Sequence, residues 1–397
     1  MHERNFVMTP FSDILPDLII SPNHATQNGK KTTTKVLAEN RTSTAVHVDK
    51  DKEVLHGIHN QGRQRTLLMA VVNVTPDSFS DGENLFYRYA MNPTNTSLKE
   101  EVETKLLKMK FDYGVDILDI GGQSSRPQSP MITAQEELRR VAPLVDLIRS
   151  HPQLQSMVLS LDTIHPDIAK FMHHNFNISI VNDISGGSGV DMAEQWSGAK
   201  DAPSGTSSTS MFQVMSELSI PYVLMHMRGT PKTMLDPVHM NYHNDICDEI
   251  KAYFDDKLQT CIHLQMKRWN IILDCGIGFA KDSTNNQILV ARMNDCKPHP
   301  NMPMLCGPSQ KRFLRQILDK SCTDKNELDK KDFLYRKWGT IAVLSKAVLS
   351  GANIIRIHDA EMMNVARCII DSIQNEEYNY LAHKNGSQSS PEKKFST

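Results

Sequence analysis

Short runs of apolar residues recur along most of this chain at nearly regular intervals. They fall at 67–73 (LLMAVVN), 115–121 (VDILDIG), 157–162 (MVLSLD), 178–183 (ISIVND), 221–226 (PYVLMH), 269–274 (WNIILD), 302–307 (MPMLCG) and 353–359 (NIIRIHD). Most of the gaps are long enough for a helix. Helical periodicity runs from Leu98 to Phe111, Ala134 to Ser150, Tyr242 to Trp269 and Arg336 to Ser350. Strands that are apolar throughout need cover on both faces, which predicts a parallel sheet sheathed in helices. Eight such units over roughly 250 residues or more predict an α/β fold, a TIM (β/α)8 barrel. A doubly wound open sheet has the same periodicity and stays open as the alternative.

The pattern fails at both ends. Residues 23–65 are polar, rich in Thr, Lys, Asn and His, and read as a flexible linker, so the barrel carries a flexible N-terminal extension. Residues 1–22 have a more structured character. The barrel is expected over 66–382, and 383–397 (HKNGSQSSPEKKFST) read as a disordered tail. The segment 199–210 (AKDAPSGTSSTS) reads as a flexible insertion between the fourth strand and the helix before the fifth.

Composition narrows the function. The net charge of -2 over 397 residues gives no basic field for nucleic acid or an acidic membrane. Seven cysteines without CxxC pairs read as reduced thiols in a cytosol-like compartment. No run is long enough to span a bilayer, and the first residues lack the apolar stretch of a signal peptide. A cytoplasmic protein is expected, or a mitochondrial one if a longer parent chain carries a targeting signal.

Nearly every predicted strand ends in polar residues. They are Asn73, Asp119 before Gly121-Gly122, Asp162, Asn182-Asp183, His226, Asp274, Gly307-Pro308-Ser309, and Arg356 with His358. In a barrel these are the C-terminal strand ends, where TIM-barrel enzymes keep their active sites. Asp183 and Ser185 suit turn or helix caps, but caps do not account for the whole set. Asp162, Asn182 and Asp274 can hydrogen-bond a flat heterocycle in its plane. Lys311, Arg126, Arg356 and His358 suit phosphate. Asn73 suits a single protein ligand to a Mg²⁺ that keeps its waters and bridges phosphates. The combination describes a phosphorylated heterocyclic substrate.

NVTPDSFSDG (73–82), DILDIGGQSSRP (116–127), SLDT (160–163), VNDISGG (181–187), MHMRGTP (225–231), LDCGIGFAKD (273–282), GPSQKRF (307–313) and GANIIRIHD (351–359) occur in order. This set resembles dihydropteroate synthase over about 66–373. Residues 2–17 (HERNFVMTPFSDILPD), through Arg4 and Phe6, resemble the end of hydroxymethyldihydropterin pyrophosphokinase. Residues 1–22 then look like a remnant of that upstream domain, and the chain like the synthase portion of a fungal-type multifunctional folate-synthesis protein.

The resemblance implies condensation of 6-hydroxymethyl-7,8-dihydropterin pyrophosphate with p-aminobenzoate by an SN1-like route, in a homodimer that uses Mg²⁺. It implies pterin contacts at Asp162, Asn182, Asp274, Lys311 and Arg356, and pyrophosphate contacts at Asn73, Arg126, Arg356 and His358, with Asn73 also the metal ligand. It implies p-aminobenzoate contacts at Ser125, Arg126, Pro127, Phe279 and Ser309. Catalytic roles fall to Asp81, Asp162, Asp274 and Lys311. Asp77 and Asp81 lie in a loop expected to close over the intermediate. Three positions depart from the family pattern: Gln310 for Arg, Cys275 for Pro, and Ser125 for Thr. The last motivates altered sensitivity to sulfonamide analogues of p-aminobenzoate. Two other functions stay open, the pterin-binding barrel of a corrinoid-dependent methyltransferase and a non-catalytic scaffold.

Overall fold

The computed structural model describes residues 65–76, 84–197, 209–321 and 324–387. The expected extension over 1–64, the loop with Asp77 and Asp81, and most of the 199–210 insertion lie outside the described residues. The elements run β1 (Leu67–Asn73), α1 (Leu85–Met91), α2 (Thr96–Phe111), β2 (Ile117–Gly121), α3 (Ala134–Ser150), β3 (Val158–Asp162), α4 (Pro166–Phe176), β4 (Ile180–Asp183), α5 (Gly189–Ser197) and α6 (Met211–Leu218). There follow β5 (Tyr222–Met225), α7 (Pro237–Met240), α8 (Ile246–His263), β6 (Ile271–Asp274), α9 (Ser283–Ala291), β7 (Met304–Cys306), α10 (Arg312–Ser321), α11 (Lys325–Lys330), α12 (Asp332–Leu349), β8 (Ile354–Ile357) and α13 (Ala360–Ser387).

Each strand lies inside the run that predicts it. All neighbours are parallel, and β8 returns to β1 through Leu67↔Ile354 and Met69↔Arg356, so the sheet closes and the open alternative falls. The long helix expected from Tyr242 to Trp269 is shorter. Asp245 caps α8 by accepting from Cys247 N at 2.8 Å, and Gln265, at φ 62°, turns the chain out of the helix. The insertion ends as a helix start, since Ser210 and Gln213 form a capping box on α6. The expected tail also begins later than 383, because α13 continues to Ser387. Polar composition alone does not separate a helix end from a coil.

Alternation along the strands builds the site. Leu67, Met69, Ile117, Val158, Ile180, Val223, Ile272, Leu305 and Ile354 form one buried cluster inside the barrel, with every strand contributing. Burying each stabilises the fold by about 1.5–3 kcal/mol. The intervening residues, such as Leu118, Leu159, Val181 and Ile355, face the helices in the larger outer core. A period of two then puts Asp119, Asp162, Asn182, Asp274 and Arg356 on the inner face, two or four residues beyond the floor. The interior is apolar below and charged at its mouth.

Candidate active site

Arg356 stands at the centre of the mouth. Its Nε donates to Asp119 Oδ2 and its Nη2 to Asp162 Oδ2, both at 2.6 Å. Asp119 Oδ2 also accepts from Asn182 Nδ2 at 3.0 Å. Residues from β2, β3, β4 and β8 are thus interlocked before any ligand is considered. Gly121 makes room for this, since a Cβ there would lie 3.2 Å from Asp162 Cβ. Burial opposes the charge on Arg356, yet Asp119 and Asp162 hold its pKa above the usual value. Burial, and then the charges of Asp119 and Asp183, push Asp162 up to about 7 against the pull of Arg356.

Across the mouth, Asp274 is 7% exposed and accepts from Gly276 N at 2.8 Å. Burial raises its pKa, opposed by that bond and by Lys311. Lys311 donates to Ile277 O at 2.5 Å, and its amine sits 3.8 Å from the centre of the Phe279 ring. Burial brings the Lys311 pKa down to about 7, although Asp274 works the other way. Asp162, Asp274, Lys311 and Arg356 act on one another electrostatically, with Asn182 tied in through Asp119 and Phe279 lying under the Lys311 amine.

His358 is drawn towards its neutral form. Burial, then the charges of Arg356, Lys311 and Arg126, push its pKa down to about 3. Its Nδ1 lies 3.0 Å from Ser309 Oγ, which also accepts from His358 N at 3.3 Å. A neutral imidazole can offer phosphate a hydrogen bond, but no charge. Ser309, expected beside p-aminobenzoate, is bonded to a residue expected beside pyrophosphate. Asn73 ends β1 next to Gly121.

The loop after β2 is less committed. Ser125 is half-buried, while Arg126 and Pro127 are exposed. This loop is tied down further along, where Gln128 N donates to Pro231 O at 3.1 Å and Trp196 Nε1 to Ser129 O at 2.9 Å. The charge of Arg126 bears on His358. The departures are accommodated too. Cys275 is buried against Met304, and Gln310 adopts φ 55° with its carbonyl accepting from Arg336 Nη1 at 3.1 Å. A cation from α12 therefore stands beside the position that lacks one.

Four further residues carry chemistry: on sequence Asp119 and His226 count only as polar strand ends, with no ligand contact assigned, and Lys281 and Glu137 have no site role. Asp119 is a carboxylate in the middle of an apolar strand, which was the available signal. Lys281 and His226 form a buried pair behind β5 and β6, with Lys281 Nζ 3.0 Å from His226 Nδ1. His226 ends its strand on the outer face and does not join the mouth. Glu137, 0% exposed, lies 3.6 Å from His165 Nε2 and packs under Gly122. Burial pushes the acid up to about 8 and the imidazole down to about 4, each towards its neutral form. Asp183 is structural, as its neighbours suggest. It accepts from Ser185 N, Gly187 N and Tyr222 Oη, and so holds the turn after β4.

Mg²⁺ can be tested against the donors present. Among the described residues no group of three or more His, Cys, Asp or Glu could hold a metal. A protein-caged ion does not fit. The amide oxygen of Asn73 at the strand end fits an ion held mainly by water and phosphate.

A closed parallel barrel with buried carboxylates and cations at its C-terminal mouth has the architecture of a TIM-barrel enzyme. Comparison with known proteins narrows this class. The model of the pterin binding enzymes matches residues 69–358. The mitochondrial folate synthesis bifunctional protein of Pisum sativum is 32% identical over 374 residues, covering 90% of this chain and 64% of its own length. The dihydropteroate synthase of Synechocystis is 32% identical over 300 residues, 76% of this chain and 87% of its own. Among solved structures, Xanthomonas albilineans dihydropteroate synthase with 4-aminobenzoic acid superposes with a TM-score of 0.56 at 26% identity, over 78% of this chain and 93% of that one. The chain belongs to the pterin binding enzymes, in their dihydropteroate synthase branch. It spans between 42% and 64% of the length of the folate synthesis proteins it matches.

Proposed function

We propose that this chain condenses 6-hydroxymethyl-7,8-dihydropterin pyrophosphate with p-aminobenzoate to give 7,8-dihydropteroate and pyrophosphate. The observation that carries the reading is the pairing of two buried carboxylates, Asp162 and Asp274, with Lys311, whose amine lies over the Phe279 ring. The C–O bond to pyrophosphate breaks first, and its electron pair leaves with pyrophosphate. The arylamine nitrogen then forms the new C–N bond and loses a proton to solvent. Asp274 accepts from pterin N–H groups and offsets the positive charge that builds on the ring, so it binds the transition state more strongly than the ground state. Arg356 turns from Asp162 towards the leaving group. Asn73 would hold Mg²⁺, which when bound offsets phosphate charge.

Asp81 is assigned a place beside the pterin cation, and Ser125, Arg126 and Pro127 a place beside p-aminobenzoate once their loop closes. A homodimer fits the exposed apolar stripe of Val365, Ile369 and Ile373 on α13 and of Phe333 and Trp338 on α12. No helix among the described residues is long and apolar enough to cross a membrane. The cytosol is the proposed compartment, or the mitochondrion if a longer parent chain carries a targeting signal.

The test is dihydropteroate formation from the two substrates, with and without Mg²⁺. Asp274→Ala should lower turnover by at least about a thousandfold, from several kcal/mol of lost charge stabilisation. Wild-type turnover in that variant would refute the pocket. A folded wild type that forms no product would favour the scaffold.

A further inference from the structure

Lys281 lies behind the barrel mouth, 5% exposed, and among the described residues it makes no ion pair. Its Nζ donates to Phe279 O at 2.9 Å, and lies 3.0 Å from His226 Nδ1 and 3.5 Å from His226 O. His226 is 2% exposed and meets the Tyr253 ring edge-on at 4.8 Å. Burying an amine without a carboxylate is costly. All that this amine holds is backbone and one imidazole at the ends of β5 and β6.

The loop it holds is tightly wound. Gly276, Gly278 and Ala280 have φ of 65°, 82° and 49°. Ala280 has a Cβ and is strained there. The carbonyl of Ala280 accepts from Tyr242 Oη at 3.1 Å, and Gly278 N donates to Asn286 Oδ1 at 2.6 Å. A Cβ on Gly276 would lie 2.1 Å from His226 O. Around the buried amine the loop turns two groups to the mouth, the Phe279 ring and Ile277 O, and both touch Lys311.

We infer that Lys281 is a positioning residue for the second substrate: it fixes Phe279, and through that loop Lys311, where an arylamine carboxylic acid packs. This rests on the condensation proposed above. Lys281 itself touches no substrate. The effect is selective because Asp119, Asp162, Asn182 and Arg356 interlock among themselves and do not lean on this loop. Of the proposed pterin contacts, Asp162, Asn182 and Arg356 stand apart from this loop while Asp274 and Lys311 adjoin it, so arylamine binding depends on Lys281 more than pterin binding does.

Lys281→Met in the full chain keeps the apolar stem and removes the donors. Steady-state kinetics should show the KM for p-aminobenzoate raised about tenfold, as expected for the loss of about one hydrogen bond's worth of positioning, and the KM for the pterin pyrophosphate raised by a clearly smaller factor, about threefold at most, through Asp274 and Lys311. Circular dichroism and a thermal melt establish that the variant is folded. If the Met variant does not fold, Lys281→Gln, which can still donate to Phe279 O, should give the same selective rise to a smaller extent. In an active wild type, KM values that move together, or a change in stability alone, overturn the inference by itself. A wild type that forms no dihydropteroate overturns the functional reading and this inference with it.

Discussion

Asp119→Asn keeps the shape of a side chain and removes one charge from the centre of the site. Asp119 is 0% exposed, and one of its oxygens takes both Arg356 and Asn182. The other oxygen, Oδ1, is buried without a partner among the described residues. An asparagine can still accept from Arg356, and its amide then occupies the unpartnered side. What is lost is the charge in a charge-assisted bond, worth about 1.5–3 kcal/mol net. Arg356 keeps Asp162, so the loss sits near the low end, about 2 kcal/mol. That corresponds to a fall in Tm of about 2–3 °C for a chain of this size. The second effect is on pH. The Asp119 charge is one cause that lifts Asp162 from the usual 3.8 to about 7, so removing it lowers the folded pKa of Asp162. A raised carboxylate contributes stability that is fully present below about 3.8 and lost as pH rises through about 7. In the variant this window narrows from above. An ionised Asp162 is needed to accept from the pterin, so the acid limb of kcat/KM should move to lower pH. Thermal melts and a pH–rate profile measure both. An unchanged Tm, or an acid limb that stays put or moves up, refutes the interlock.

Gly278→Ala should lower kcat/KM by about a hundredfold, the usual cost of misplacing a catalytic group by about 1 Å. A Cβ there would lie 2.4 Å from Lys311 Cδ at φ 82°, and wild-type kinetics would show that Lys311 can stand elsewhere. Ser125→Thr adds one methyl beside the proposed p-aminobenzoate site, worth at most about 1 kcal/mol or about fivefold in a sulfonamide inhibition constant. Equal constants for the two chains would remove Ser125 from drug contact.

Much of this was legible because two periods are written in the chain. The eight apolar runs are eight strands, and residue parity places Asp162, Asn182, Asp274 and Arg356 inside the barrel. Parity also shows why His226 misleads. It ends a run as Asp274 does, but it follows Met225 onto the outer face, where Lys281 meets it. Charge states were not legible. His358 is a potential cation in any sequence, and only its burial near Arg356, Lys311 and Arg126 makes it neutral. Glu137 looks like a helix-surface acid, since α3 begins with Glu136 and Glu137 side by side. Glu136 pairs with Arg139 and Arg140 at the surface, and Glu137 turns into the barrel wall.

A single physical cause runs through these shifts. Burial is the largest influence on Asp162, Asp274, Lys311, His358 and Lys281, and each time it works against the charged form. The acids are raised and the bases lowered, so the mouth is poorly charged for its content of ionisable groups. A ligand that carries its own charges changes that balance. Pyrophosphate beside Arg356 and Lys311 favours their protonated forms, and a cationic ring beside Asp162 and Asp274 favours their ionised forms. The attraction is greatest when both charges are present together. In the reaction proposed here, that is the moment after the C–O bond breaks and before the C–N bond forms. The desolvation of these buried groups thus makes the site selective for the separated ion pair over the intact pyrophosphate ester, whose ring carries no positive charge.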